Sequence, residues 1–217
     1  MKLKGVVFDF NGTLFWDTKL HNRAWDIFLA KNGFVLSNQE KMDKIHGKNN
    51  QTILSNIFLK ELSESDVEAL TIEKETIYQE LCLQEKMELA PGAVAFFCFL
   101  KSSQIPFTIA TASGIENINF YFEHLALNKF FDRSKIVFSD GLIPSKPDPQ
   151  IFLKAIDILE IKNQETLIIE DSFAGIRAAE NAKAGKIIIV DSNNDDYQKW
   201  DYQKIQNFNE VDRTLFV

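Results

Sequence analysis

Four short polar clusters along this sequence have the residue types for phosphoryl or metal chemistry: Asp9 with Asn11, Thr111 with Ser113, Lys146, and Glu170 with Asp171. Each follows an apolar run or the loop after one. Asp9, Glu170 and Asp171 brought together would repel one another, and a hard cation relieves such repulsion. Mg²⁺ suits the set, because it takes oxygen ligands at about 2.0–2.1 Å and keeps several waters. The Thr111 hydroxyl, the adjacent backbone N–H groups of Ala112 and Ser113, and Lys146 would offer donors to a phosphate. A carboxylate flanked by Mg²⁺ and a lysine can attack phosphorus covalently, since the cations offset the charge repulsion. Taken singly, each cluster has a plainer reading as a helix cap, a turn or a solvated lysine. The conjunction carries the weight, because ligands of α/β folds bind at the carboxyl ends of parallel strands and one sheet edge would gather all four clusters.

The elements that must position these groups alternate strand and helix. Residues 3–10 read as a first strand, with Asp9 and Asn11 on one side of a period-two chain and Gly12 free to let the backbone approach a ligand. Helical patterning then runs from Trp16 to Met87. A helix over 21–31 carries Ala24, Trp25, Ile27 and Phe28 and stops at Asn32-Gly33. Ser37 and Glu40 form a capping box that opens a second helix; residues 46–50 are a polar break before a third helix over 51–59. Ser65 and Glu68 have the same form and open a longer helix to residue 83. After Pro91-Gly92 the pattern gives a very apolar helix over 93–101 and strands over 107–110, 135–138, 167–169 and 187–190. Helices follow Gly114, Pro149 (with Asp148 as N-cap) and Ser172. Wholly apolar strands alternating with helices imply an α/β fold, a parallel sheet with helices on both faces. The boundaries divide the chain into a core of residues 1–15 and 89–217 and a helical cap domain of residues 16–88. Residues 191–201 read as a solvated acidic loop.

With 217 residues, 45% of them hydrophobic and 19 of them Phe, the chain can bury a real core. A net charge of -7 and no dense basic run exclude a nucleic-acid footprint. Cys82 and Cys98 lack metal-ligand spacing and read as buried free thiols in a reducing compartment. No apolar stretch suits a membrane span, so the expectation is a cytoplasmic monomer with no membrane partner.

Asp-Phe-Asn-Gly-Thr-Leu at 9–14, Ile-Ala-Thr-Ala-Ser at 109–113, Ser-Lys-Pro-Asp-Pro at 145–149 and the run from Ile169 to Ala179 resemble, in order and spacing, the haloacid dehalogenase superfamily. The helical insert after the first motif resembles the C1-type cap of its β-phosphoglucomutase-like branch. The resemblance implies a Rossmann-like sheet of order 3-2-1-4-5 and Asp9 as a nucleophile that becomes an aspartyl phosphate. It implies Thr111 and Lys146 on the transferring phosphoryl group, with Gly12, Ala112 and Ser113 beside it. It further implies Mg²⁺ held by Asp9, Asp171, Glu170 and the carbonyl of Asn11, and a small phosphorylated metabolite as substrate. Thr18, His21, His46 and Asn50 fall where cap residues set specificity, Asn50 standing where the β-phosphoglucomutases carry an Arg.

Asn11 departs from the pattern, because the family's phosphatases and mutases place an Asp there as general acid and base. An amide keeps the shape and the backbone carbonyl but cannot usefully move a proton, and general acid–base catalysis is worth about 10²–10⁴ in rate. Alkyl phosphates should then turn over slowly, and aryl or acyl phosphates should suffer less. The leading expectation is an impaired or atypical Mg²⁺-dependent phosphohydrolase. The alternatives are a phosphometabolite-binding regulatory protein, a β-phosphoglucomutase-like phosphotransferase, and a phosphonatase-like C–P hydrolase with Lys44 or Lys48 as its Schiff-base lysine.

Overall fold

A computed structural model describes residues 2–58 and 62–216; Leu59, the expected end of the third helix, lies outside them. The short runs rich in Val and Ile fold as strands and the 3.6-period segments as helices. The strands are β1 (Gly5–Phe8), β2 (Phe107–Ile109), β3 (Thr166–Glu170), β4 (Lys186–Val190) and β5 (Gln203–Ile205). They form one parallel sheet in the order β2-β1-β3-β4-β5. Successive side chains of a strand point to opposite faces. Val6 and Phe8 therefore enter one core, with Phe96, Phe97 and Leu100, while Val7 enters the other, with Phe152, Ala155 and Ile156. Phe8 is the centre of the first core, with the rings of Phe96, Phe97, Phe107, Phe131 and Phe208 all within 6.3 Å of its own.

Two strand expectations need correction. Residues 135–138 do not form a strand: Lys135 belongs to a 3-10 turn capped by Asp132, so only Val137 bridges to Ala110 at the sheet edge. At the opposite edge β5 adds a strand that the pattern did not suggest, because Gln-Lys-Ile is short and mostly polar. The loop before it is not simply solvated either: Tyr197 and Trp200 are buried against Ile176 and Ile189. Cys98 is exposed, on the outer face of α5 (Ala93–Ser102), whereas Cys82 is buried.

Between β1 and α5 lie α1 (Thr18–Lys31), α2 (Asn38–Lys44), α3 (Asn50–Phe58) and α4 (Glu64–Gln84). They close on a core of their own, built from Trp25, Phe28, Leu29, Ile53, Leu54 and Ile57. Ser37 caps α2 through the expected box with Glu40. α4 starts earlier than expected, because Ser63 rather than Ser65 takes the cap and Asp66 supplies the reciprocal carboxylate. The Ala90 N–H donates to the Leu14 carbonyl at 2.8 Å, so the chain enters and leaves the helical unit at one place.

The remaining helices are α6 (Ile115–His124), α7 (Gln150–Ile158) and α8 (Phe173–Asn181). Asp148 accepts the Gln150 N–H at 2.9 Å ahead of α7. Ser172 caps α8 by accepting the Gly175 N–H. A Cβ on Gly175 would overlap the Glu170 carboxylate. Gly175→Ala is expected to destabilise by about 1–3 kcal/mol through overpacking, lowering Tm by roughly 2–12 °C. Thermal unfolding checks this, since a glycine in an unconstrained helix would instead gain stability on the same change.

Candidate active site

The strand ends bring the polar clusters to one edge. Asp9 follows β1, Glu170 ends β3, and Asp171 is the next residue. Carboxylate oxygens of the three lie within 4.8 Å of one another. Lys146, itself buried, reaches from the loop before α7 to Asp9 Oδ1 at 2.5 Å and Glu170 Oε1 at 2.6 Å. Burial would strip its charge, but Asp9 and Glu170 hold it protonated, well above the usual lysine range. Glu170 is fixed further by the Ser172 N–H at 2.5 Å. Asp171 accepts from the Thr13 hydroxyl at 3.0 Å, and its carbonyl accepts from Tyr197 at 2.7 Å. Gly12, at φ +79°, turns the chain here; any side chain on it would overlap the Asp171 carboxylate. Burial raises the Asp9 carboxyl to about 7, with Lys146 opposing and Glu170 reinforcing the shift. Burial and the charges of Glu170 and Asp9 also push Asp171 upward. Once ionised, three carboxylates around one ammonium carry an excess of negative charge, all of it on oxygen, and a hard divalent cation fits that donor set.

Asn11 stands beside this cluster with both ends of its amide engaged. Its oxygen accepts from Ser113 at 2.7 Å and from the Thr111 hydroxyl at 3.4 Å. Its nitrogen donates to Tyr121 at 2.7 Å and to Asp17 Oδ2 at 2.6 Å. Asp17, at the entry to the helical unit, is a buried hub. It also accepts from the Gly12 N–H at 3.0 Å, from the Tyr78 hydroxyl, and from His21 Nε2 at 3.3 Å. Burial alone would raise its carboxyl, but His21, Tyr78 and Asn11 outweigh it and hold Asp17 below the usual range.

Over the strand ends the helical unit covers a cavity of about 850 Å³, whose walls include Asp9, Asn11, Thr111, Ala112, Ser113 and Asp171. Thr18, His21, His46, Lys48 and Asn50 also line it. The His21 ring stacks on Tyr78 at 3.8 Å. An ammonium can only donate, so His21 Nδ1 accepts from Lys74 Nζ at 3.0 Å and Nε2 carries the hydrogen facing Asp17. His46 pairs with Asn22 at 2.9 Å. Its pKa falls to about 4, first through burial and then through the neighbouring His21, Lys41 and Lys48. Asn50 is committed to Glu75 at 2.6 Å, which Lys74 and Asn117 also contact. Lys44 pairs with Glu40, and Lys48 donates to the Asp43 carbonyl.

The sequence pattern did not single out Asp17, Tyr78, Tyr121, Lys74 or Glu75. One signal was available: Lys74, Tyr78 and Cys82 repeat at four-residue spacing and share the buried face of α4. A lysine on an otherwise apolar stripe asks for a buried partner.

Asn11→Asp would place a carboxyl oxygen against Asp17 at the present 2.6 Å contact. Two such groups share one proton, which raises a folded-state pKa above its unfolded value. A raised acid loses stability as pH rises through its folded pKa. Wild-type Asp17, held low, contributes fully at neutral pH and loses its contribution only on acidification. The Tm deficit of Asn11→Asp should therefore widen from pH 5 to pH 8. A deficit independent of pH would show that residues 11 and 17 do not share a proton.

A family model described as haloacid dehalogenase-like hydrolase matches residues 3–183. Hexitol phosphatase A of Escherichia coli is 29% identical over 81% of this chain and 78% of its own length. Beta-phosphoglucomutase of Bacillus subtilis is 28% identical over 83% of this chain and 80% of its own. A crystal structure of a family IA, variant 3 HAD hydrolase from Entamoeba histolytica superposes with a TM-score of 0.87, at 33% identity, over 99% of this chain and 98% of that one. A parallel sheet, the carboxylates at its edge and a model match spanning most of the sequence agree, and the chain belongs to the haloacid dehalogenase-like hydrolases.

Proposed function

We propose that this hydrolase is a Mg²⁺-dependent phosphohydrolase of a small phosphorylated metabolite, with Asp9 as nucleophile and an aspartyl phosphate as intermediate. The observation that carries this reading is the position of Asp9: it is pinned by Lys146, stands within a few ångströms of Glu170 and Asp171, and faces the cavity shared with Thr111 and Ser113. Asp9, Asp171, Glu170 and the Asn11 carbonyl would hold the ion, which supplies positive charge to the transferring phosphoryl group. Lys146 orients the Asp9 carboxylate and adds a second positive charge beside it. Thr111 and Ser113, with the Gly12 and Ala112 backbone, would receive the phosphoryl oxygens. The helical unit of residues 16–88 would act as the cap that excludes water and selects the substrate. Hexitol phosphatase A and a Thermotoga maritima phosphorylated carbohydrates phosphatase are among the relatives, which supports a phosphorylated small molecule as the substrate.

The amide of Asn11 favours a second reading, a phosphometabolite-binding protein with little turnover. One assay separates the two. Phosphate release from nitrophenyl phosphate should require Mg²⁺ and fall at least about 10³-fold in Asp9→Asn. Ligand-dependent stabilisation without Mg²⁺-dependent release would favour the binding protein. Mg²⁺ should also raise Tm more at pH 8 than at pH 5. Asp9, with its carboxyl near 7, is protonated at pH 5 in the metal-free protein and must ionise to bind. An equal shift at both values would remove Asp9 from the metal site.

A further inference from the structure

The inference here rests on the phosphohydrolase reading and concerns what the leaving group must be. Departure of an alkoxide needs a proton, and the groups around Asn11 are each committed elsewhere. The Asn11 amide donates to Asp17 and Tyr121. The Ser113 hydroxyl donates to Asn11. His21 presents Nε2 to Asp17 and has Nδ1 occupied by Lys74. Tyr78 and Tyr121 are bonded to each other at 3.0 Å, and Tyr78 also donates to Asp17. Among the described residues around Asn11, no side chain holds a proton free of such a bond for an alkyl leaving group.

The outer cavity has a matching character. Leu62, Val67 and Ile72 line it from the helical unit, and Ile115, Phe138 and Leu142 from the sheet side. Leu142 is 86% exposed and Ile72 54% exposed, so both offer uncovered apolar surface at the mouth. Among the described lining residues, Glu64, Glu68, Glu116 and Asp140 face the cations of Lys48 and Lys74, and Lys74 is already paired with Glu75, an arrangement that disfavours a second anionic group on the substrate. A polyol would leave this apolar wall unused, whereas a ring would cover it.

We propose that the substrate is a phosphate monoester of a phenol or enol with an uncharged apolar body, whose oxygen departs as an anion without a proton from the protein. Asp9 attacks phosphorus, the bond from phosphorus to the phenolic oxygen breaks, and its electron pair leaves as the phenolate. Water then attacks the aspartyl phosphate at phosphorus. The bond to Asp9 breaks, the carboxylate is regenerated, and both water protons leave on dihydrogen phosphate. Neither step calls on Asn11 for a proton.

The test measures kcat/KM with Mg²⁺ for substituted phenyl phosphates, naphthyl phosphate, acetyl phosphate and a hexitol phosphate, in wild type, Asn11→Asp, Leu142→Ser and Asp9→Asn. Wild type should lose about 10²–10⁴ between nitrophenyl and hexitol phosphate, and Asn11→Asp should narrow that gap at least tenfold. Leu142→Ser should raise KM for naphthyl phosphate several-fold more than KM for acetyl phosphate. A wild-type preference for hexitol phosphate, still dependent on Asp9, overturns the substrate class and leaves the phosphohydrolase standing. A gap equally wide in Asn11→Asp, or a naphthyl KM unmoved in Leu142→Ser, also overturns it. Absence of Asp9-dependent release from every substrate removes both readings.

Discussion

Three carboxylates meet at the edge of one parallel sheet with a single buried ammonium between two of them, and the surrounding structure is arranged around that imbalance of charge. Taking an ion out of water costs several kcal/mol even after relaxation, so such a cluster persists only with close partners for each charge. Lys146 meets Asp9 and Glu170 together, and the Ser172 backbone takes a further Glu170 oxygen. The missing side chains of Gly175 and Gly12 leave the volume that Glu170 and Asp171 occupy. The ring of Phe152 lies 4.8 Å below the ammonium, a cationic contact that is worth more where water is absent. The folded chain thus holds these oxygen ligands in place before any ion arrives.

Much of this was legible because the physics is local. Apolar runs of Val, Ile and Phe ending in acids mark β1 and β3, and a parallel sheet leaves little choice about where those acids gather. The capping box at Ser37 is satisfied within four residues, so its sequence sufficed. At Ser63 and Ser65 the local chemistry allowed either start, and the serine with an acid three residues on that closes the reciprocal pair took the cap. What local pattern could not show were contacts made across the fold. Asp17 looks like a linker residue until Tyr78 and Tyr121, far along the chain, converge on it and on Asn11. Tyr197 looks solvated until its hydroxyl meets the Asp171 carbonyl. β5 escaped notice because an edge strand needs only one buried side chain, here Ile205.

The Asp17 network also joins the two units of the molecule. Asn11 and Gly12 come from the loop after β1, Tyr121 from α6, and Tyr78 and His21 from α4 and α1. The Ala90–Leu14 hydrogen bond and the Ser145 hydroxyl, which meets the Asn49 N–H at 3.1 Å and Thr52 at 2.8 Å, add further links. Movement of the helical unit would therefore disturb the hydrogen bonds that orient Asn11. Placement of the helical unit and of the amide at the strand end are mechanically one problem.

The contact between Asn11 and Asp17 bears on how such a site can change over generations. A carboxamide donating to a carboxylate is a matched pair, whereas two ionised carboxylates at the same distance are not. Substitutions at 11 and 17 are consequently coupled well beyond the few tenths of a kcal/mol within which distant sites add. An acid at 11 is therefore not one neutral step away from this pair, because position 17 would have to yield first or at the same time. The order in which the two mutations arise becomes part of the inheritance of the fold.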